Sequence, residues 1–173
     1  MTTPASQLEG RLDARSDITS RLIRFQAGVS MPFTPSHVEA LTVDGREYIG
    51  AHIDGGIKAR PVGYDAASLI TLPDGSKSER IVSLPCSDAQ ETAFYTFVEG
   101  KVNAAYDWKA ILGFEMPDFH LHEFGHLICS AFMVAALRTK GCEFFKWPLT
   151  VPFHHISPRD LFLILSTHVE IPH

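Results

Sequence analysis

The string FHLHEFGHLICSAF contains the pattern H-E-x-x-H, with His122, Glu123 and His126 in the defining positions. On a helix, two histidines one turn apart can bind zinc while the glutamate activates a water molecule. The pattern therefore predicts a zinc metallopeptidase as one hypothesis for this chain.

The residues around the pattern argue against that hypothesis. A zinc site of this type needs a helix already formed at His122, whereas Pro117 upstream and Gly125 inside the pattern favour a strand or loop that leads into a helix. The sequence singles out no third ligand, for which the candidates are Glu143, His154, His155 and Asp160. The simpler interpretation is that the histidines at 120, 122 and 126 line the approach to another site, and no metal or other cofactor is predicted.

Cys129 offers a second kind of chemistry, because it stands where a helix is predicted to begin. If that helix starts at Leu127 or Ile128, the thiol lies in the first turn, where free amides and the helix dipole favour a thiolate. The same amides would donate to an oxyanion when the thiolate attacks a carbonyl carbon. A cysteine followed by Ser and Ala also suits close helix packing, so the position alone leaves the assignment open. The other two cysteines, Cys86 and Cys142, are predicted to be structural.

The composition is that of an ordinary globular protein, and it excludes several other classes. The chain has 173 residues, a hydrophobic fraction of 45% and a formal net charge of −5 at pH 7, so a single domain over residues 1–173 is expected. Lysine and arginine are scattered, which argues against a nucleic-acid or anionic-lipid partner. No apolar run is long enough to span a membrane, no export signal is recognised, and the cysteines are three in number. These features predict the reducing cytoplasm as the location.

The elements that would position the reactive residues follow an α+β pattern, with helices around an antiparallel β-core. The dipeptide Asp44-Gly45 is a strong hairpin signal between two strands. The predicted strands are 37–42, 47–53, 57–60 and 80–84, and the predicted helices are 17–26, 88–102 and 127–139, with a final helix or strand from 161. His37 would begin the first of these strands, far upstream of the helix that carries Cys129.

Several segments, in the same order, resemble the circularly permuted NlpC-type papain-like cysteine hydrolases, the YiiX-like group. The string SHVEALTVDGREYIGAHIDGGIKARP is similar to the opening strand and hairpin of that group, and HLICSAFMVAALRTKG resembles its Cys-Ser helix. AAYDWKAILGF is similar to the segment before that helix, ISPRDLFLI to the closing element, and ITSRLIRFQAG to the first helix. The resemblance touches most of residues 10–165 and extends, more distantly, to lecithin:retinol acyltransferase.

The resemblance implies a small antiparallel sheet or barrel packed against helices, with the nucleophile at a helix N-terminus. It implies that Cys129 is the nucleophile and His37 the general base, in the permuted order in which histidine precedes cysteine. The group has an orienting residue on the second strand, but Gly50 stands where many relatives have glutamate. His52, on the same strand face, is the preferred orienting residue, and Glu39 is the reserve candidate.

The resemblance also implies hydrolysis of an amide or ester, or acyl transfer, through a thioester intermediate. The substrate would be a small peptide-like amide, such as a cell-wall-derived peptide, or a lipid acyl group, with contacts from Glu39, Tyr106 and His126. Ala131 stands where the group has a glutamate after Cys-Ser, so that substrate contact is missing. A non-catalytic binding domain that keeps the cleft is the third hypothesis, because position 50 lacks the group's glutamate.

Overall fold

The computed structural model describes residues 6–15, 35–52, 56–103, 124–145 and 156–167, with side chains from residue 129 onward in the fourth range. In these ranges the chain is α+β, as predicted, with a five-stranded antiparallel sheet and three helices. The strands are β1 Gln7–Asp13, β2 His37–Leu41, β3 Glu47–His52, β4 Gly56–Pro61 and β5 Glu79–Pro85. The helices are α1 Asp88–Gly100, α2 Phe124–Arg138 and α3 Pro158–Ser166.

The sheet is open, with the order β4–β3–β2–β1–β5, and each neighbouring pair of strands is antiparallel. The predicted hairpin joins β2 to β3, and Gly45 in its turn has a φ of 69°, a left-handed conformation that glycine adopts without strain. In that hairpin Ala40 lies opposite Ile49 and Leu41 opposite Tyr48. The four predicted strands agree with β2 to β5 to within one residue at each end.

One interior strand of the sheet, β1, is not among the strands that the sequence predicts. β1 lies between β2 and β5, and its sequence QLEGRLD alternates apolar Leu8 and Leu12 with charged residues such as Arg11 and Asp13. From the sequence alone, such a pattern is typical of a segment whose charged side chains face solvent. In the structure the Arg11 and Asp13 side chains are buried as deeply as the leucines, so β1 has two buried faces of different chemistry.

One face of the sheet is apolar and packs against the helices. Its buried strand residues are Leu8, Leu12, Val38, Ala40, Ile49, Ala51, Val82 and Leu84. The helices contribute Phe94, Val98, Phe132, Val134, Leu161 and Leu165 to the same core. α2 packs directly against β2 and β3, the two strands of the hairpin. Burial of this apolar surface is the main favourable term in folding.

Two helices begin with reciprocal side-chain caps, which fix where they start. Ser87 caps α1 together with Gln90, and Ser157 caps α3 together with Asp160; each pair satisfies amides that the first helical turn leaves free. The predicted helix from residue 88 is confirmed as α1, and the predicted final helix or strand is a helix. The predicted helix at 17–26 and the segment AAYDWKAILGF lie outside the described residues.

The opposite face of the sheet carries a group of buried charges, here named the ionic layer: Arg11, Asp13, Arg15, Glu39 and Asp65. Arg11 lies 2.6 Å from both Asp13 and Asp65, and Arg15 lies 3.0 Å from Asp13 and 2.9 Å from Asp65. The loop after β4 supplies Asp65 and covers this face. The ionic layer thus ties β1, β2 and that loop together through charge, whereas the other face is held by apolar contact.

Most large apolar residues of the helices in the described ranges pack in the core, although Leu163 on α3 is exposed. None of these helices is both long enough and apolar enough to cross a membrane.

Loss of Arg11 should destabilise the protein strongly, because Asp13, Glu39 and Asp65 would keep their burial and lose a shared cation. For Arg11→Met we expect the free energy of unfolding to fall by about 3–5 kcal/mol, measured by urea denaturation. Arg46→Met is the matched control, since Arg46 on the hairpin turn is 83% exposed beside Asp44 and should change stability little. Equal, small effects of the two substitutions would contradict the importance given to the ionic layer.

Candidate active site

The two histidines predicted on the hairpin meet at its open end. His37 is the first residue of β2 and His52 is the last residue of β3. When the register of Ala40 opposite Ile49 is continued, position 39 faces position 50 and position 37 faces position 52. The ring centroids of the two histidines are 5.0 Å apart, as expected for side chains on the same face of paired strands.

Glu39 lies between the two imidazoles. Its Oε1 atom is 2.9 Å from His52 Nε2 and 3.4 Å from His37 Nε2, and its exposed fraction is 0%. Gly50 gives the carboxylate its room, because a Cβ atom at position 50 would lie 2.7 Å from Glu39 Cγ. The Glu39 side chain on β2 can therefore occupy this position only because residue 50 on β3 is a glycine.

The far side of the Glu39 carboxylate is held by Tyr64 and the ionic layer. Tyr64 donates a hydrogen bond of 3.1 Å to Glu39 Oε1, and Arg15 donates one of 2.8 Å to the Tyr64 hydroxyl. Arg11 Nη1 and Arg15 Nη2 each lie 3.6 Å from Glu39 Oε2. Both carboxylate oxygens thus face groups that stabilise negative charge, and the side chain has little freedom to turn away from the histidines.

Cys129 approaches His37 from α2. The two side chains are in hydrogen-bonding contact. Since His37 Nε2 has no hydrogen-bond partner within the described ranges, Nδ1 is the ring nitrogen left for the thiol. α2 begins at Phe124 rather than at the predicted Leu127 or Ile128, so Cys129 is the sixth residue of the helix. Its own amide lies beyond the four that a helix start leaves free, and His37 is the closer activating group.

The environment pushes the pKa values of the clustered groups in different directions. Burial, the largest single effect, would raise the pKa of Glu39, but the charge and hydrogen bond of His37 together with those of His52 outweigh it and hold that pKa well below its usual range. Burial lowers the pKa of His37, yet the charges of Glu39 and then Cys129 prevail and raise it to about 10. The pKa of His52 is lowered, first by burial and further by the charge of His37. At neutral pH His37 is therefore an imidazolium and His52 a neutral imidazole.

The same cluster has the donor atoms of a metal site. His37, Glu39 and His52 each offer one ligand atom, and these atoms lie within 4.8 Å of one another. A second close set, Asp13, Glu39 and Asp65, is already in contact with Arg11 and Arg15. The site can therefore activate a thiol or bind a cation, and both possibilities use the same two imidazoles.

Four of the predicted site residues come together here, namely Cys129, His37, His52 and Glu39. Tyr106, His122, Glu123, His154 and His155 lie outside the described residues, and His126 is described only as backbone of α2. Asp160, a candidate third zinc ligand, instead caps α3 together with Ser157. Cys86 and Cys142 belong to or pack against the apolar core, and burial raises the pKa of both thiols, that of Cys142 to about 11.

Sequence reasoning missed the groups behind Glu39, which are Arg11, Arg15 and Tyr64. The alternation of Leu8 and Leu12 with charged residues was a signal for a strand, but not for burial of its charged face. Tyr64 sits in a turn after β4, and its residue type there gave no indication of a contact with Glu39. These residues become recognisable only when the distant segments are paired in the sheet.

The two neighbouring imidazoles should titrate on opposite sides of neutrality. We expect ¹⁵N NMR of labelled histidine to show His37 protonated through neutral pH and losing its proton near pH 10, while His52 is neutral throughout that range. Because the pKa of His37 is raised from 6.5 to about 10, its stabilising effect is complete below pH 6.5 and is lost as the pH rises through 10. Cys129→Ala should lower the pKa of His37, and titration of both rings near their usual value would contradict the assignment.

A methyl group at position 50 should disturb the site without removing any of its polar atoms. In Gly50→Ala the new Cβ would press on Glu39, so we expect a stability loss of about 1–3 kcal/mol and a lower pKa for His37. Gly10→Ala on β1 is the matched control, since its Cβ would meet Glu39 O at 3.4 Å and Met133 Cε at 3.7 Å, which are ordinary contacts. If the two variants have the same free energy of unfolding and the same His37 pKa, Glu39 does not need the space that Gly50 leaves.

Three comparisons with known proteins found no match for the chain, whether among protein-family models, curated proteins or solved structures.

Proposed function

We propose that the chain is a cysteine hydrolase in which Cys129 is the nucleophile and His37 its general base. The observation that carries the proposal is the contact of Cys129 with an imidazole whose other nitrogen faces a buried, ionised carboxylate, Glu39. In many hydrolases a thiol or hydroxyl is activated by a base that it contacts, and the base is in turn oriented by an acidic residue. The packing of α2 against the histidine-bearing strands supports the permuted papain-like fold that the motifs resemble.

In the resting site the proton of Cys129 would reside on His37 Nδ1, which gives a thiolate–imidazolium pair. The thiolate attacks the carbonyl carbon of an amide or ester, and the imidazolium gives its proton to the leaving nitrogen or oxygen, so that a thioester remains on Cys129. Neutral His37 then takes a proton from a water molecule that attacks the thioester. The acid product leaves, and the thiolate–imidazolium pair is restored.

Glu39 is the orienting residue in this proposal, in the role first expected of His52. A carboxylate next to Nε2 holds the ring with Nδ1 toward the sulfur and stabilises the imidazolium. Its burial and its two arginine neighbours support this role over direct contact with a substrate. His52 shares Oε1 of the same carboxylate at 2.9 Å, and it acts as a second positioning residue for Glu39.

The pair Glu39 and Gly50 accounts for the main departure from the permuted NlpC-type pattern. That pattern has a glutamate or histidine on the second strand, and in many members a glutamate stands at the position of Gly50. In this chain the acid comes from β2, and it fills the space that a side chain at position 50 would take. The carboxylate would thus reach the same imidazole from the neighbouring strand, which weakens the argument for a binding domain that has lost its catalytic acid.

The class of substrate follows from the resemblance. We propose a small peptide-like amide, with an acyl ester as the alternative within the same chemistry. Both contain a carbonyl carbon that a thiolate can attack, and neither requires a cofactor.

The proposal predicts that Cys129 reacts as a thiolate at neutral pH. We expect its alkylation rate with iodoacetamide, measured by mass spectrometry of the labelled peptides, to be nearly constant between about pH 6 and about pH 8, below the ordinary thiol pKa. An unactivated thiol would instead react about tenfold faster per pH unit over that range. The shape of the profile is the readout, because burial of Cys129 also lowers the absolute rate.

Cys86 and Cys142 are internal controls in the same samples, since their raised pKa values predict rates that climb steadily with pH. His37→Gln should convert the flat profile of Cys129 into a climbing one. A climbing profile for Cys129 in the unaltered protein would sink the proposal and favour a non-catalytic role for the site.

A further inference from the structure

The Nε2 atoms of His37 and His52 both point into the space beside Glu39. Each is close to Glu39 Oε1, yet neither has a hydrogen-bond partner of good geometry within the described part of the chain, and Glu39 Oε2 is likewise buried without one. A buried polar atom without a well-aligned partner costs free energy. Two such atoms, one from each imidazole, converge on Oε1 of Glu39, whereas Oε2 faces Arg11 and Arg15.

The spacing of these atoms is close to that of ligands around one small cation. Ligands 2.0–2.2 Å from a tetrahedral zinc ion are about 3.3–3.6 Å apart. His37 Nε2 and Glu39 Oε1 are separated by 3.4 Å, and His52 Nε2 and Glu39 Oε1 by 2.9 Å. One separation already fits, and the other needs to open by about half an ångström.

The charges around the cluster favour a cation as well. Among the described residues, four carboxylates lie in or beside the ionic layer: Asp13, Glu39, Asp65 and Glu79. Three guanidiniums lie against them or against Tyr64: Arg11, Arg15 and Arg60. The charge nearest to both imidazoles is that of Glu39, whose Oε1 lies 2.9 Å from His52 Nε2 and 3.4 Å from His37 Nε2. A positive charge between the histidines, whether a proton or a metal ion, is therefore stabilised.

We propose that His37, Glu39 and His52 bind Zn²⁺ and that the bound ion reversibly silences Cys129. Two imidazoles and a carboxylate are ligands that zinc accepts, and three protein ligands leave one tetrahedral position for water. An octahedral ion would need three further positions. The packing of Tyr64 onto Oε1 at 3.1 Å, with its ring 5.9 Å from that of His52, leaves less room for these.

The silencing part of this inference rests on the proposed function. Zinc on His37 Nε2 displaces the proton at that nitrogen, which goes to solvent, and the one remaining ring proton stays on Nδ1. A metal-bound imidazole holds that last proton tightly, so His37 can no longer pass it to a leaving group and take it back. Cys129 would still lie beside the ring, but its partner would have lost general acid–base function.

The test of binding uses the metal-free full-length protein and a chromogenic zinc chelator as competitor. We expect one Zn²⁺ per chain, with the affinity weakened about a hundredfold or more in His52→Gln. The double variant His122→Gln/His126→Gln is the matched control and should keep the full affinity, because those histidines belong to the other zinc motif in the sequence. Loss of binding in the control but not in His52→Gln would overturn the inference.

Two further measurements keep the result independent of folding defects in the variants. Circular dichroism and urea denaturation check that His52→Gln keeps its fold. X-ray absorption on the zinc-loaded, unaltered protein should show nitrogen and oxygen neighbours only. Sulfur in the first coordination shell, or no stoichiometric zinc at micromolar concentration, would overturn the inference without reference to any variant.

The alkylation profile of Cys129 separates this inference from the proposed function. If both hold, the metal-free protein gives the flat profile, and stoichiometric Zn²⁺ slows hydrolysis of any ester substrate that the metal-free protein turns over, with recovery on chelation. A flat profile without zinc binding leaves the hydrolase and removes the metal site. Zinc binding with a climbing profile leaves the metal site and removes both the hydrolase and its silencing.

Discussion

Glu39 is a carboxylate with no exposed surface, and the rest of the described structure is arranged around the need to compensate its charge. Removing a charged group from water costs several kcal/mol, and only close cations and hydrogen-bond donors recover that free energy. Arg11 must come from the interior strand β1, Tyr64 from the loop after β4, and the histidines from the end of the hairpin. The position of one buried charge thus constrains strand order, loop path and register together.

The hairpin shows how a change of residue on one strand is matched by a change on its neighbour. Gly50 has no side chain, and Glu39 directly across the pair fills that space. Because paired positions on the same face of a sheet share one volume, a carboxylate can be supplied from either strand and still meet the same imidazole. Residue identity at a single aligned position is therefore a poor indicator of whether such a site is complete.

Stability and chemistry draw on the same charges in this protein. Glu39 belongs to the ionic layer, and its charge, together with the contact of Cys129, overcomes the effect of burial and raises the pKa of His37 to about 10. The imidazolium balances Glu39, and in the proposed hydrolase it would also pair with the Cys129 side chain. A site built in this way is polarised before any substrate arrives, and that preorganisation is what lowers barriers in enzymes. The same negative charge would also stabilise another cation that fits between the His37 and His52 rings.

The sequence by itself determined the local elements and singled out residues that meet at the candidate site. Hairpin chemistry at Asp44-Gly45, the serine at the start of α1 and the alternation along β2 to β5 act over a few residues, so local patterns reveal them. The order of motifs selected Cys129 and His37. Tertiary structure alone decided that β1 is an interior strand, that Arg11 is buried, and that Glu39 lies between the imidazoles of His37 and His52. Those outcomes depend on which charged residues, distant in sequence, pair with one another when they are buried. The spacing of residues along the chain does not show these pairings.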